Sequence, residues 1–208
     1  MSGDVSASLE DRFVAAGLRV LSEQSAADLT IRRGAEVAGS STMGIYSRFG
    51  SRTGMLEAIY RRGFETLRDA LAVARDGVPT RDPAAPPLPA EDRTGRILAL
   101  ARAYRDFALA NPALYALMFE RPLPDFDPSH ELRGEALAMT FTLLTAELDG
   151  AVRPAYLVWT TIHGIVSIEL THALRSPLPG WFLDSPEVGA QVLTDGVEAL
   201  LAGLRRPV

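Results

Sequence analysis

Within the stretch Thr30 to Arg52, TIRRGAEVAGSSTMGIYSRFGSR, two helix-capping hydroxyls flank a glycine, which leaves the backbone few ways to run. The Thr30 hydroxyl suits the free N–H groups at the start of a helix over Ile31 to Ala38. Gly39 ends that helix, since glycine adopts the left-handed conformation that commonly closes one without steric cost. Ser40 or Ser41 then caps a second helix, roughly Ser41 to Phe49. Two short helices joined by so tight a corner cross steeply and leave the second exposed enough to lie in a major groove. The stretch predicts a helix-turn-helix whose second helix meets DNA.

Charge gathers at the same place. Residues 30 to 64 carry Arg32, Arg33, Arg48, Arg52, Arg61 and Arg62 against Glu36 and Glu57, a local +4, whereas the whole chain is at −5. An acidic chain with its cations collected on one motif fits phosphate contact there and another role elsewhere. A merely solvated basic face is the alternative reading.

Leu29-Thr30-Ile31, Ala35, Ala38-Gly39, Ser41, Ile45-Tyr46, Phe49, Ser51-Arg52 and Leu56 together resemble the signature of the TetR-type regulators, over roughly the first 65 residues. Gly34 departs from that pattern where an apolar Ile is usual, as do Ser40 for Val, Ser25 for Gly and Arg52 for Lys. Glycine inside a helix costs about 1 kcal/mol relative to alanine and here also removes a core side chain, so a softer second helix is expected. The resemblance implies phosphate-positioning contacts at Thr30, Arg33 and Arg52, near helix N-termini, and Arg32, Ser41 and Arg48 are further DNA-binding candidates. It makes Thr42, Met43 and Tyr46 the base-reading positions, where a threonine methyl or a methionine packs on a thymine methyl group. Tyr46 stands between packing on the bundle and touching DNA. Ile45 and Phe49 read as core.

At 208 residues, 47% hydrophobic and 23% charged, the chain is long enough for one large or two small domains with a proper core. No apolar run approaches the roughly 18 residues that span a bilayer, and Asp4, Glu10 and Asp11 spoil a secretory pattern, so a cytoplasmic protein is expected. The absence of cysteine excludes disulfides, thiolate metal sites and cysteine catalysis. All 21 basic residues are arginine, which favours bidentate contacts to phosphate and carboxylate.

Helical spacing recurs along the rest of the chain, with no strand pattern, so the fold is all-α. Leu9, Phe13, Ala16, Val20 and Leu21 follow a capping box at Ser8 and Asp11. Ser51 caps a helix to about Arg75 with Met55, Leu56, Ile59, Phe64, Leu67 and Leu71 as its apolar stripe. Residues 77 to 90 hold five prolines and read as a loop. Further helices are expected from about Ile97 to Asn111, from Leu114 to Phe119, from Glu131 to Leu148, from Tyr156 to Leu174 and from Pro186 to Leu204. Residues 1–52 form the DNA-binding domain in this reading, and 53–208 a C-terminal effector-binding and dimerisation domain.

The Tyr156 to Leu174 segment is apolar nearly all round, and Gly189, Gly196 and Gly203 recur by sevens on the last helix. These two helices can pair with their copies as a four-helix bundle, the homodimer that the resemblance also implies. Trp159, His163 and Gly164, in the order W-x-x-x-H-G, resemble a motif of one branch of TetR-type C-terminal domains. His163 is either a buried histidine bonded to a carbonyl or the polar group of an effector pocket. The resemblance implies such a cavity for a small molecule. Ten of the fifteen aromatic residues lie between Tyr104 and Phe182, which points to Tyr104, Phe107, Tyr115, Met118, Phe119, Phe141, Trp159 and His163 and to a lipophilic or aromatic effector. A catalytic reading has only His163, Glu169 and His172, one half of a di-iron spacing without the other half, so no catalytic residue, metal or cofactor is expected. The function expected is that of a TetR-type DNA-binding regulator, a repressor released from a palindromic operator by a small-molecule effector. The rival is a dimeric helical ligand-binding or adaptor protein without specific DNA binding.

Overall fold

The computed structural model describes residues 8–77, 92–172 and 185–205, which fold into nine α-helices with no strand among them. The all-α fold is therefore as expected. Side-chain caps open the first helices. Ser8 accepts from the Asp11 amide and donates to the Asp11 carboxylate at the start of α1 (Leu9–Glu23). After a 3-10 turn at Ala26–Asp28, Thr30 accepts from the Arg33 amide at 3.1 Å and opens α2 (Ile31–Val37). Gly39, at φ 62°, turns the chain out of α2, and Ser41 accepts from the Gly44 amide at 3.2 Å to open α3 (Thr42–Phe49). Gly50 makes the next corner at φ 72° and Ser51 caps α4 (Arg52–Arg75) through the Gly54 amide. Then come α5 (Arg93–Ala110), α6 (Pro112–Phe119), α7 (His130–Ala146), α8 (Val152–His172) and α9 (Pro186–Leu204). The expected proline-rich loop lies, from residue 78, outside the described residues, as do residues 173 and 174 of the helix expected to end at Leu174.

The chain divides into two compact units, residues 1–65 with 111–136 and residues 66–110 with 137–208. In the first, α1 packs on α2 and on α6. Its core is Phe13, Leu21, Leu29, Ile45, Met55 and Ile59 on the helix-turn-helix side, and Phe64, Tyr115 and Phe126 beyond it. Gly17 admits Ile59, whose side chain would collide with any Cβ there. This unit thus extends past residue 52, because Tyr60 and Phe64 on α4 present rings to Phe126 and Phe119, drawing α6 and the chain after it into the same core. Leu9, expected to face inward, is 45% exposed, since it begins α1 one turn ahead of the buried Phe13.

In the second unit α5, α8 and α9 pack on one another. A Cβ on Gly196 would stand 2.9 Å from the Ile165 Cδ1, so this glycine lets α8 and α9 approach closely. Gly189 serves a different neighbour, the Glu169 carboxylate and the Arg105 guanidinium, while Gly203 faces open space. Of the three regularly spaced glycines, then, two are filled from within the chain.

Candidate nucleic-acid interface and effector pocket

Helix α3 turns Ile45 inward, at 0% exposed, and sets Phe49 edge-on to Phe13 with ring centroids 6.0 Å apart. Met43 and Tyr46 turn away from Ile45, at 73% and 50% exposed, and Thr42 is exposed at the start of the helix. Gly44 lies on the inner side, where a Cβ would stand 3.1 Å from the Phe13 ring. A glycine in the middle of an eight-residue helix was its only signal in the sequence.

The helix preceding α3 is complete despite Gly34. A Cβ at Gly34 would stand 3.4 Å from the Met55 Sδ and 3.5 Å from the Ile45 Cδ1, ordinary van der Waals contact. The C-terminal end of α2 is closed by Arg12, which donates to the Ala38 carbonyl at 3.0 Å.

Five of the six arginines between residues 30 and 64 pair with carboxylates. Arg33 pairs with Glu36 at 3.1 Å. Arg48, in the last turn of α3, pairs with Glu10 on α1 through both its Nε and an Nη. Arg52 pairs with Asp125, and its Nε also donates to the Leu29 carbonyl at 3.3 Å. Arg61 meets Glu135 at 3.1 Å, while Arg62 meets Asp11 at 2.7 Å and Glu65 at 3.0 Å. Hydrogen bonds from Ser8 and Arg62 hold the Asp11 carboxyl below its ordinary pKa, and the Arg62 guanidinium is correspondingly harder to deprotonate. Among the described residues Arg32 is exposed and forms no ion pair. The hydroxyl oxygens of Thr30 and Ser41 accept backbone amides, which leaves each O–H to donate outward.

The eight aromatic-pocket candidates fall in both compact units. Tyr104, Phe141 and Trp159 line a cavity of about 30 Å³ together with Leu71, Leu100 and Thr140. His163 stacks on Trp159 with centroids 5.3 Å apart and planes 23° apart, and its Nδ1 lies 2.9 Å from the Tyr104 hydroxyl. Burial pushes the His163 pKa below its ordinary value, which favours the neutral ring. Phe107 is buried on α5 of the same unit. Tyr115, Met118 and Phe119 lie in the unit that holds the helix-turn-helix, with Tyr115 and Phe119 ring centroids 4.9 Å apart. A larger cavity of about 200 Å³, not foreseen from the sequence, lies between Arg93 and Ile97 on α5, Leu148 and Pro154 at the α7–α8 connection, and Leu201 and Arg205 at the end of α9. Its residues are scattered over more than a hundred positions and share no motif.

Glu169 is 8% exposed and gives both oxygens to Arg105, itself 6% exposed, at 2.7 and 2.5 Å. Arg105 also donates to the Pro186 carbonyl at 2.7 Å, so one buried guanidinium ties α5, α8 and the start of α9 together. This pairing occupies the carboxylate that a metal half-site with His172 would need. No group of three or more potential metal ligands occurs among the described residues, and no described helix is long and apolar enough to cross a membrane.

Residues 97–188 match the family model described as Tetracyclin repressor-like, C-terminal domain. A solved TetR-family transcriptional regulator from Streptomyces coelicolor superposes with a TM-score of 0.67 at 17% identity, over 94% of this chain and 81% of that one. This is a TetR-type fold. Two curated proteins of Mycobacterium tuberculosis share more sequence with it. The HTH-type transcriptional regulator Rv1816 is 28% identical over 123 residues, 59% of this chain and 48% of that protein. The uncharacterized HTH-type transcriptional regulator Rv0681 is 32% identical over 118 residues, 55% of this chain and 50% of that protein. The chain with the TetR-type fold thus spans about half the length of these curated relatives. In TetR-type terms α2 and α3 are the helix-turn-helix, and the matched segment runs from within α5 to the start of α9.

Proposed function

We propose that the chain is a TetR-type transcriptional regulator, a homodimeric repressor that binds a palindromic operator and leaves it when a small lipophilic effector binds. The observation that carries this reading is α3, which leaves Thr42, Met43 and Tyr46 exposed while Ile45 anchors the helix in the core. Residues 1–52 supply DNA contact and residues 53–208 effector binding and dimerisation, in the cytoplasm, without cofactor or catalysis. For the dimer, α8 leaves Val152, Tyr156 and Ile168 exposed, and Gly164 on the same helix has open space beside it. Trp159, His163 and Gly164 carry the likeness to one branch of TetR-type C-terminal domains.

For the effector, the Tyr104–Phe141–Trp159 cavity has the apolar lining, but at about 30 Å³ it is far below the roughly 300 Å³ of a drug-sized site. Effector binding therefore requires α5, α7 and α8 to part, and a ligand that favours the opened state shifts the population away from the DNA-binding geometry. The 200 Å³ cavity offers more room and is lined by Arg93, which pairs with Asp149 at 2.8 Å, and by Arg205, so an anionic ligand there is the second reading. A ligand screen separates the two: release from DNA by apolar aromatics and its loss in Trp159→Ala supports the first, and release by charged compounds alone the second.

The test of the main reading is selection of bound duplexes from a random DNA pool at near-physiological salt, with an Arg33→Ala, Tyr46→Ala double variant as control. An enriched inverted repeat that the variant loses is the expected result. No enrichment would transfer the reading to a dimeric ligand-binding or adaptor protein.

A further inference from the structure

We propose that Glu10 and Asp125 act as internal substitutes for DNA phosphates, holding Arg48 and Arg52 in pairs that must exchange carboxylate for phosphate when DNA binds. This inference rests on the DNA-binding reading above and adds the groups that tune it.

Arg48 lies in the last turn of α3 and Arg52 opens the helix after it, so both stand beside the helix that carries Thr42, Met43 and Tyr46. Their partners come from remote places in the chain, Glu10 on α1 and Asp125 in the connection between α6 and α7. Carboxylate and phosphate present the same paired oxygens to a guanidinium fork. The Arg48 fork gives Nε and Nη2 to a single Glu10 oxygen, and the Arg52 fork is divided between Asp125 and the Leu29 carbonyl. Asp125 is the more exposed member of its pair, with 67% of its side chain open to solvent, so that contact can open without exposing core. Exposed pairs of this kind contribute little each, which lets a phosphate displace them while still offsetting part of its attraction. A carboxylate freed on DNA binding regains counterions, so fewer ions are released overall than the arginine count implies.

The experiment compares the full chain with Glu10→Gln and Asp125→Asn, measuring affinity for a random-sequence duplex of about three helical turns across a salt series. Asp127→Asn is the control: it lies two residues from Asp125 and removes the same charge, but its partners are Arg121 and Arg133. Glu10→Gln and Asp125→Asn should each tighten binding by about two- to five-fold at low salt. Each should also steepen the dependence of log K on log salt by up to about 0.9, the contribution of one phosphate contact. Asp127→Asn should do neither. Glu10 and Asp125 sit on separate elements, so either variant reads the proposal alone if the other fails to fold. Equal tightening by Asp127→Asn would reduce the effect to net charge and overturn the proposal, as would unchanged affinity and slope in both test variants. Failure of the wild type and every variant to bind the duplex at the lowest salt would instead remove the DNA-binding reading, and this proposal with it.

Discussion

Exposed arginine–carboxylate pairs occur in both compact units, but only the second also buries such pairs. Around the helix-turn-helix, Arg48–Glu10, Arg52–Asp125 and Arg61–Glu135 lie at the surface. In the C-terminal unit Arg105–Glu169 is buried against Gly189, and Glu147 lies buried under Arg96, bound at 2.8 and 2.6 Å. Exposed pairs are nearly neutral for stability and open to exchange, whereas a buried pair, once formed, cannot lose one member without stranding a charge. Placement thus separates a surface able to trade partners from an interior that holds helices in register.

The largest effect should come from Glu169→Gln, which leaves the Arg105 guanidinium buried and uncompensated and should lower unfolding free energy by about 3–5 kcal/mol in denaturant titration. The double variant Arg105→Met, Glu169→Leu should recover most of that loss. A single-variant cost under about 1 kcal/mol would erase the contrast between the units. Next, on duplexes recovered by selection, Arg52→Ala should weaken binding evenly across sequences, while Met43→Ala should alter discrimination at one position by about 1–3 kcal/mol. If both variants shift sequence preference alike, the division between positioning and reading residues is wrong.

Gly34→Ala should raise stability by about 1 kcal/mol, since the helix gains a better former and the added methyl meets Met55 and Ile45 at ordinary contact distances. A loss of stability would show that α2 tolerates no added atom. The smallest effect concerns pH. Burial lowers the His163 pKa from 6.5, so below that pH the unfolded chain takes up a proton more readily than the folded one. Its contribution is complete above about pH 6.5 and declines as the pH falls toward the lowered value. Thermal midpoints measured down that range should fall less steeply in His163→Gln than in the wild type; equal slopes would exclude His163 as the source.

Much of the fold was legible because helix signals are local. Ser8, Thr30, Ser41 and Ser51 each cap the amide of a residue three positions on, and Gly39 turns the chain with its own backbone. The outward positions of Met43 and Tyr46 follow from the helix period around Ile45, whereas Thr42 is open because it begins the helix. Leu9 shows the limit, since periodicity states which face a residue shares but not where the covering helix ends. The pocket candidates show another: aromatic composition groups Tyr115 and Phe119 with Tyr104 and Trp159, yet Pro112 starts a separate helix whose rings pack in the first unit.

By itself the sequence determined the helices, their caps, the corner between α2 and α3 and the identity of the outward residues, because hydrogen bonds over three or four positions and a fixed helical period decide these. Only the tertiary structure decided which carboxylate meets which arginine and how small the aromatic cavity is. Arg52 finds Asp125 and Arg105 finds Glu169 across more than sixty residues, and an ion pair carries no sequence spacing of its own: it depends on where packed helices bring two charges, and on how much water remains between them.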